Sequence, residues 1–167
     1  MPKLMRVLGT DELGPPDVVV PTLPSEPTVH EAVGHAMARS LDQLLFHDPR
    51  IRLGDDEEDL HQFRVAVRRL RSDLRTFVDV LEVLDGPSAA ALARELGWLA
   101  DATSARRDLD VLRARLVAAK NEVSPLDTKA LEKLVDRCDL QAEQADATVL
   151  EALESSRYVD LLDALVK

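Results

Sequence analysis

His61-Gln62-Phe63-Arg64-Val65-Ala66-Val67-Arg68-Arg69-Leu70-Arg71-Ser72-Asp73-Leu74-Arg75-Thr76-Phe77 is the stretch on which the fold turns. With each residue advancing by about 100°, Phe63, Leu70, Leu74 and Phe77, with Leu81 beyond, share one helical sector roughly 140° to 220° from His61. On the same scale Arg68, Arg75, Arg64 and Arg71 lie at roughly −20°, −40°, −60° and −80°. The helix therefore carries an apolar stripe for a core and a basic stripe of His61, Arg64, Arg68, Arg71 and Arg75. The basic stripe is about 80° wide and roughly 21 Å long. Arg69, at about +80°, stands outside it.

Outward from this segment the pattern stays helical. Thr28-Val29-His30-Glu31 reads as a capping box, followed by Val29, Val33, Met37, Leu41 and Leu44 at helical spacing. Pro49 predicts that this first helix stops just before it. The acids Asp55 to Asp59 suit the start of the second helix, which is expected to run to about Leu84 before Gly86-Pro87. Ser88 is the expected cap of a third, with Leu92, Leu96 and Leu99 inward and a break or bend at Thr103-Ser104. Helical spacing resumes through Leu109, Leu112 and Leu116. Ser124-Pro125 reads as a cap followed by proline at the first helical position of a long fourth helix, and a last segment spans residues 158–166.

The fold class is all-α: an antiparallel four-helix bundle of long helices plus a short C-terminal helix. Hydrophobic residues at 46% with only 3% aromatics fit aliphatic helix packing rather than a sheet. Residues 28–167 form the helical domain. Residues 1–27 hold six of the nine prolines and read as an extended linker or tail, in which Val18-Val19-Val20 has room for one short strand. No stretch approaches a membrane span, no signal peptide follows Met1, and the lone Cys138 demands no oxidising compartment, so a cytoplasmic protein is expected.

Charge is unevenly spread. The net charge is −10, yet residues 61–75 hold five arginines against Asp73, a local +4 that leaves −14 for the remainder. Stacked arginines repel, so either acids on neighbouring helices neutralise them or an anionic ligand does. The scarcity of acids on this helix favours the ligand. Guanidinium groups engage phosphate oxygens in bidentate fashion and stay charged at physiological pH, so a stripe of them suits a linear polyanion. The acidic remainder disfavours indiscriminate nucleic-acid binding. His61 can donate to phosphate when protonated, orient an arginine, or simply pack. A second basic group, Arg106-Arg107 with Arg113 and Arg115, places Arg106 and Arg113 on one face beside the leucines. Arg107 is open to a local pair with Asp108 or to a ligand role.

The segment His61 to Arg71, followed by Leu74-Arg75-Thr76-Phe77, resembles the signature helix of the CHAD family, the conserved-histidine α-helical domain. Two further stretches agree in order and spacing. Glu95-Leu96-Gly97-Trp98-Leu99 followed by Arg107-Asp108-Leu109-Asp110-Val111-Leu112 is one. Ser156-Arg157-Tyr158 with Leu161-Leu162-Asp163-Ala164-Leu165 is the other. The resemblance implies an all-helical domain that binds inorganic polyphosphate through a basic channel and associates with polyphosphate granules. It makes His61, Arg64, Arg68, Arg69, Arg71, Arg75 and Arg107 the anion-binding residues; Arg106 and Arg113 are secondary candidates by their shared helix face, and no cofactor is expected. In that family the domain often follows a triphosphate-tunnel (CYTH) domain. Thr103-Ser104 departs from the usual leucine-glycine, and the length matches only the first of two facing bundles, which leaves three readings open: a fragment, a natural half-module, or a protomer whose homodimer rebuilds the channel.

Two other readings compete. A helical protein-interaction or self-association module would use apolar surface left uncovered near residues 157–167. A metal-dependent phosphohydrolase accessory role would need carboxylates near the basic motif, and Asp108 and Asp110 are the acids so placed. His30 and His35 are five apart, which is not the spacing of a helical metal pair. Neither metal ligands nor catalytic residues are assigned.

Overall fold

The computed structural model describes residues 20–54, 57–81, 88–120 and 122–166. Helices α1 (Val29–Leu53), α2 (Glu57–Thr76), α3 (Val78–Leu81), α4 (Ala89–Ala102), α5 (Ser104–Ala119), α6 (Pro125–Glu154) and α7 (Ser156–Val166) follow in order. No strand occurs among the described residues, and the fold is an all-α bundle. Val18 and Val19 lie outside them. Pro21 to Pro27 run exposed and non-helical, tied to α1 where His35 Nδ1 donates to the Pro21 carbonyl at 2.6 Å.

Local chemistry explains most of the helix ends. The Thr28 amide donates to Glu31 Oε2 at 2.8 Å, while the Glu31 amide donates to Thr28 Oγ1 at 3.3 Å, completing the reciprocal cap of α1. Contrary to expectation, α1 runs through Pro49 for another turn. Proline there removes one amide donor, but the extra turn is closed by Gly54, which adopts φ 69° and donates to the Arg50 and Ile51 carbonyls. Ile51 then packs against the core. The second helical segment also differs from the single long helix expected. It bends at Phe77, and the bend brings Val78 and Leu81 against the core. Its expected end near Leu84 lies outside the described residues.

The core is built mainly by α1, α2, α4 and α7. Leu41, Leu44 and Leu45 of α1 meet Phe63, Val67, Leu70 and Leu74 of α2, and Leu92, Leu96 and Leu99 of α4 close over them. Tyr158 and Leu161 of α7 join, as do Val149 and Leu153 near the end of α6. A buried polar link pins α1 to α2: His47 Nδ1 and Asp59 Oδ1 lie 2.6 Å apart, so one acid of the run expected only to start a helix bridges two helices instead.

Helices α5 and α6 form an antiparallel hairpin with its own seam, where Val135, Cys138 and Ala145 are buried. Arg106 pairs with Asp146, Arg113 with Asp139 and Lys120 with Glu132, so successive rungs are seven residues apart on both helices and run in opposite directions. That spacing keeps every rung on one side of the two helices. Exposed apolar side chains gather chiefly here, at Val111, Leu112, Val117, Leu134 and Leu140. The uncovered leucines expected near 157–167 are instead turned inward: Leu161 is buried and Leu162 and Leu165 pack on the core, leaving Val159 and Val166 outside.

Gly54→Ala is expected to lower stability by about 1 kcal/mol, because the left-handed conformation then carries a Cβ. Thr28→Ala should cost about 1 kcal/mol through the lost cap. Urea titration followed by circular dichroism reads both.

Candidate anion-binding face

Two constraints place the arginines of α2. The helix must bury Phe63, Ala66, Val67, Leu70 and Leu74, which fixes its rotation. Packing against α4 on one flank then divides the basic stripe. Arg68 and Arg75 remain exposed, whereas Arg64 and Arg71 are half-buried against α4. The two helices run antiparallel here, with Arg64 beside Ala100 and Arg71 beside Gly97.

Arg64 has a structural duty. Its Nη1 donates to the Ala100 carbonyl at 2.9 Å and to Thr103 Oγ1 at 3.1 Å, at the end of α4. Thr103 is fully buried, its hydroxyl donates to the Leu99 carbonyl at 2.9 Å, and α5 begins at the next residue. The break between α4 and α5 is therefore clamped by a side chain of α2. Burial holds the Arg64 guanidinium below its ordinary pKa. Asp108 opposes that shift, while the charges of Arg68 and Arg107 add to it. The turn at Thr103 settles the direction of Arg107, bringing it to the Arg64 end of the stripe.

An open groove of about 530 Å³ follows along α2, lined by Arg68, Arg71, Ser72, Arg75 and Thr76. Three guanidinium groups and two hydroxyls line it, and none of these residues is acidic. Ser72 and Thr76 were not among the sequence candidates; the angular pattern that aligned the arginines places Ser72 beside Arg68, about 40° away, but Thr76 outside the stripe, about 20° from Arg69. His61 and Arg64 sit on the same face toward the start of the helix, beyond the groove. Arg69 lies off the stripe, and its charge acts on Asp73, whose carboxyl burial pushes above the usual range and Arg69 draws back.

Arg106 and Arg113 sit elsewhere. Arg106 Nη1 pairs with the buried Asp110, and its Nε donates to Asp146 at 2.7 Å. Arg113 Nε donates to Asp139 at 2.5 Å. Both belong to the ladder between α5 and α6. A cavity of about 290 Å³ beside Arg106 is bordered by Arg52, Leu60, Asp110 and Val149. Arg157 of α7, which was not among the anion-binding candidates, lies over the Trp98 ring at 4.3 Å and donates from Nε to Glu95 at 2.6 Å, anchoring the outer side of α4. The Glu95 carboxyl is lowered by that bond.

A row of guanidinium groups facing a groove with no acid in its lining has the chemistry to take up an anion. The comparisons give the bundle a family. The CHAD domain profile matches residues 35–167, and the chain belongs to this family, which is associated with polyphosphate binding in general. Two uncharacterized proteins of Mycobacterium tuberculosis are similar: Rv2226 of strain H37Rv and MT2285 of strain CDC 1551, each 33% identical over 165 residues. The match covers 98% of this chain but only 30% of each relative. No solved structure matches.

The two sets of arginines should respond differently to truncation. Arg106→Ala leaves Asp110 buried without its cation and is expected to cost about 3 kcal/mol. Arg68→Ala and Arg75→Ala, on the surface, should stay within about 0.5 kcal/mol of the parent protein. Denaturant midpoints of the three variants check this.

Proposed function

We propose that this chain binds inorganic polyphosphate, or a similar phosphate polyanion, without catalysing a reaction on it. The observation that carries the reading is the groove along α2, where Arg68, Arg71 and Arg75 stand with Ser72 and Thr76 and without an acid among them. Arg68 to Arg75 covers about 10 Å of helix axis, so a linear anion with charge at every repeat meets three guanidinium groups where a single phosphate meets one or two. Family membership supports polyphosphate as the polyanion.

Each end of the stripe has its part. Arg107 extends the positive field at the α4–α5 turn. Arg64, already donating to Ala100 and Thr103, contributes charge and holds that turn in place. His61 adds a donor at the same end when protonated. The remaining acidity of the chain repels duplex nucleic acid that offers no comparable fit.

The groove is a single wall. This chain spans 30% of the length of the relatives it matches. The reading gives the facing wall to a further helical unit, either a second copy of this chain or another part of a longer polypeptide. Exposed apolar side chains on α5 and α6 are available to such a contact. The reading places the protein in the cytoplasm, at polyphosphate granules. No helix among the described residues is long and apolar enough to cross a membrane.

Titration with long-chain polyphosphate at several salt concentrations tests the function. Affinity should fall steeply with salt, and Arg68→Glu combined with Arg75→Glu should weaken binding by about 100-fold, some 2.7 kcal/mol, without unfolding the protein. Binding that survives this double substitution would sink the reading. Equal affinity for duplex DNA would reduce it to unspecific charge attraction. Native mass measurement should show a dimer, and polyphosphate should increase its share.

A further inference from the structure

Within the stripe, Arg71 is held differently from its neighbours. Position 97 on α4 has no side chain, and the Arg71 guanidinium lies across the path that one longer than a methyl group would take. A Cβ added there would lie 3.6 Å from Nη2, 3.8 Å from Cζ and 4.0 Å from Nε. Three distances so alike put position 97 over the face of the guanidinium plane, not at its edge. The group stands face-on to α4, one methyl's width from its backbone. Its Nε is buried, and no described residue accepts a hydrogen bond from it. Ion pairing does not explain this placement.

We propose that position 97 is a positioning site for anion binding: with no side-chain atoms beyond Cβ, Gly97 leaves Arg71 room to stand face-on to α4 and hold its terminal N–H groups along the groove. The inference rests on the polyphosphate reading and deepens it. Arg68 and Arg75 are exposed and lose rotamer freedom when they grip a ligand. Arg71 has already lost much of that freedom by packing. It is the fixed point between two mobile arginines, so it sets where along α2 a phosphate chain begins to bind. A planar group can stand face-on in this way, and the rounder lysine ammonium cannot.

The geometry separates small from large replacements at 97. The contacts a Cβ would make, 3.6 to 4.0 Å, are ordinary van der Waals distances, so alanine leaves Arg71 in place. A longer side chain must cross the plane the guanidinium occupies and lift it away from α4.

Polyphosphate affinity and its salt dependence are to be measured for Gly97→Ala, Gly97→Leu, Arg71→Ala and the combination of the last two, with thermal melts alongside. Gly97→Ala should bind within about twofold of the parent protein, since the guanidinium keeps its seat. Gly97→Leu should bind about tenfold more weakly, with a salt slope shallower by about one released ion. The combined variant should bind no more weakly than Arg71→Ala alone, because both act through one side chain. If Gly97→Leu melts early, Gly97→Gln replaces it, a good helix former whose side chain still crosses Arg71. Parent-like binding by the folded large variant, or additive losses in the combination, overturns the inference. If the Arg68 and Arg75 double substitution lowers affinity while Arg71→Ala does not, the positioning role falls and polyphosphate binding stands. If both bind like the parent, polyphosphate binding itself falls, and the positioning role with it.

Discussion

Helix α2 is held on two sides that make opposite demands of it. Toward α1 and the core it must present Phe63, Val67, Leu70 and Leu74 with no gap. Along α4 it must accommodate guanidinium groups, which cannot be buried without acceptors or close planar contact. The contact works because α4 offers what those groups need in sequence: the Ala100 carbonyl and Thr103 hydroxyl for Arg64, and the bare backbone at Gly97 for Arg71. A bulkier or more acidic α4 would either push α2 off the core or neutralise the stripe. The spacing of the bundle and the chemistry of its surface are set by the same contact.

Arg64 shows how closely the two are joined. It is one of the stripe's charges, yet its hydrogen bonds close the end of α4 and fix the turn into α5. That turn decides where Arg107 goes. A charge of the stripe thus also holds the turn beside which a further charge, Arg107, stands. Substituting Arg64 alone would therefore mix a binding effect with a folding effect, whereas Arg68 and Arg75 separate them.

Much of this was legible in the sequence because helical periodicity is a local property. The apolar and basic stripes of α2, the capping box at Thr28 and the proline-led start of α6 follow from neighbours within a turn or two. What was not legible depends on partners far along the chain. Arg106 and Arg113 share a face, but only the fold shows Asp146 and Asp139 against them. The helix through Pro49 defeats a local rule because Gly54 caps it and Ile51 gains the core. Gly97 entered only as part of a stretch that carries the resemblance, since a missing side chain acquires structural meaning only when another helix lays something across it. Ser72 is a different case, since its angle was available and only the emphasis on charge hid it, whereas the angle of Thr76 points off the stripe and only the structure shows it at the groove.

The ladder between α5 and α6 has a consequence for how the hairpin is aligned. Every rung has its cation on α5 and its acid on α6, and the rungs repeat every seven residues on both helices. Sliding one helix past the other by a single repeat would leave two of the three rungs matched. The charges thus choose which faces meet, but being evenly spaced and of one sign on each helix they only weakly choose the axial offset. That choice falls to the short connection between Lys120 and Pro125 and to the buried Asp110 beside Arg106. Lengthening the connection would then free the hairpin to shift by whole repeats, a stepwise change of register instead of a gradual loosening.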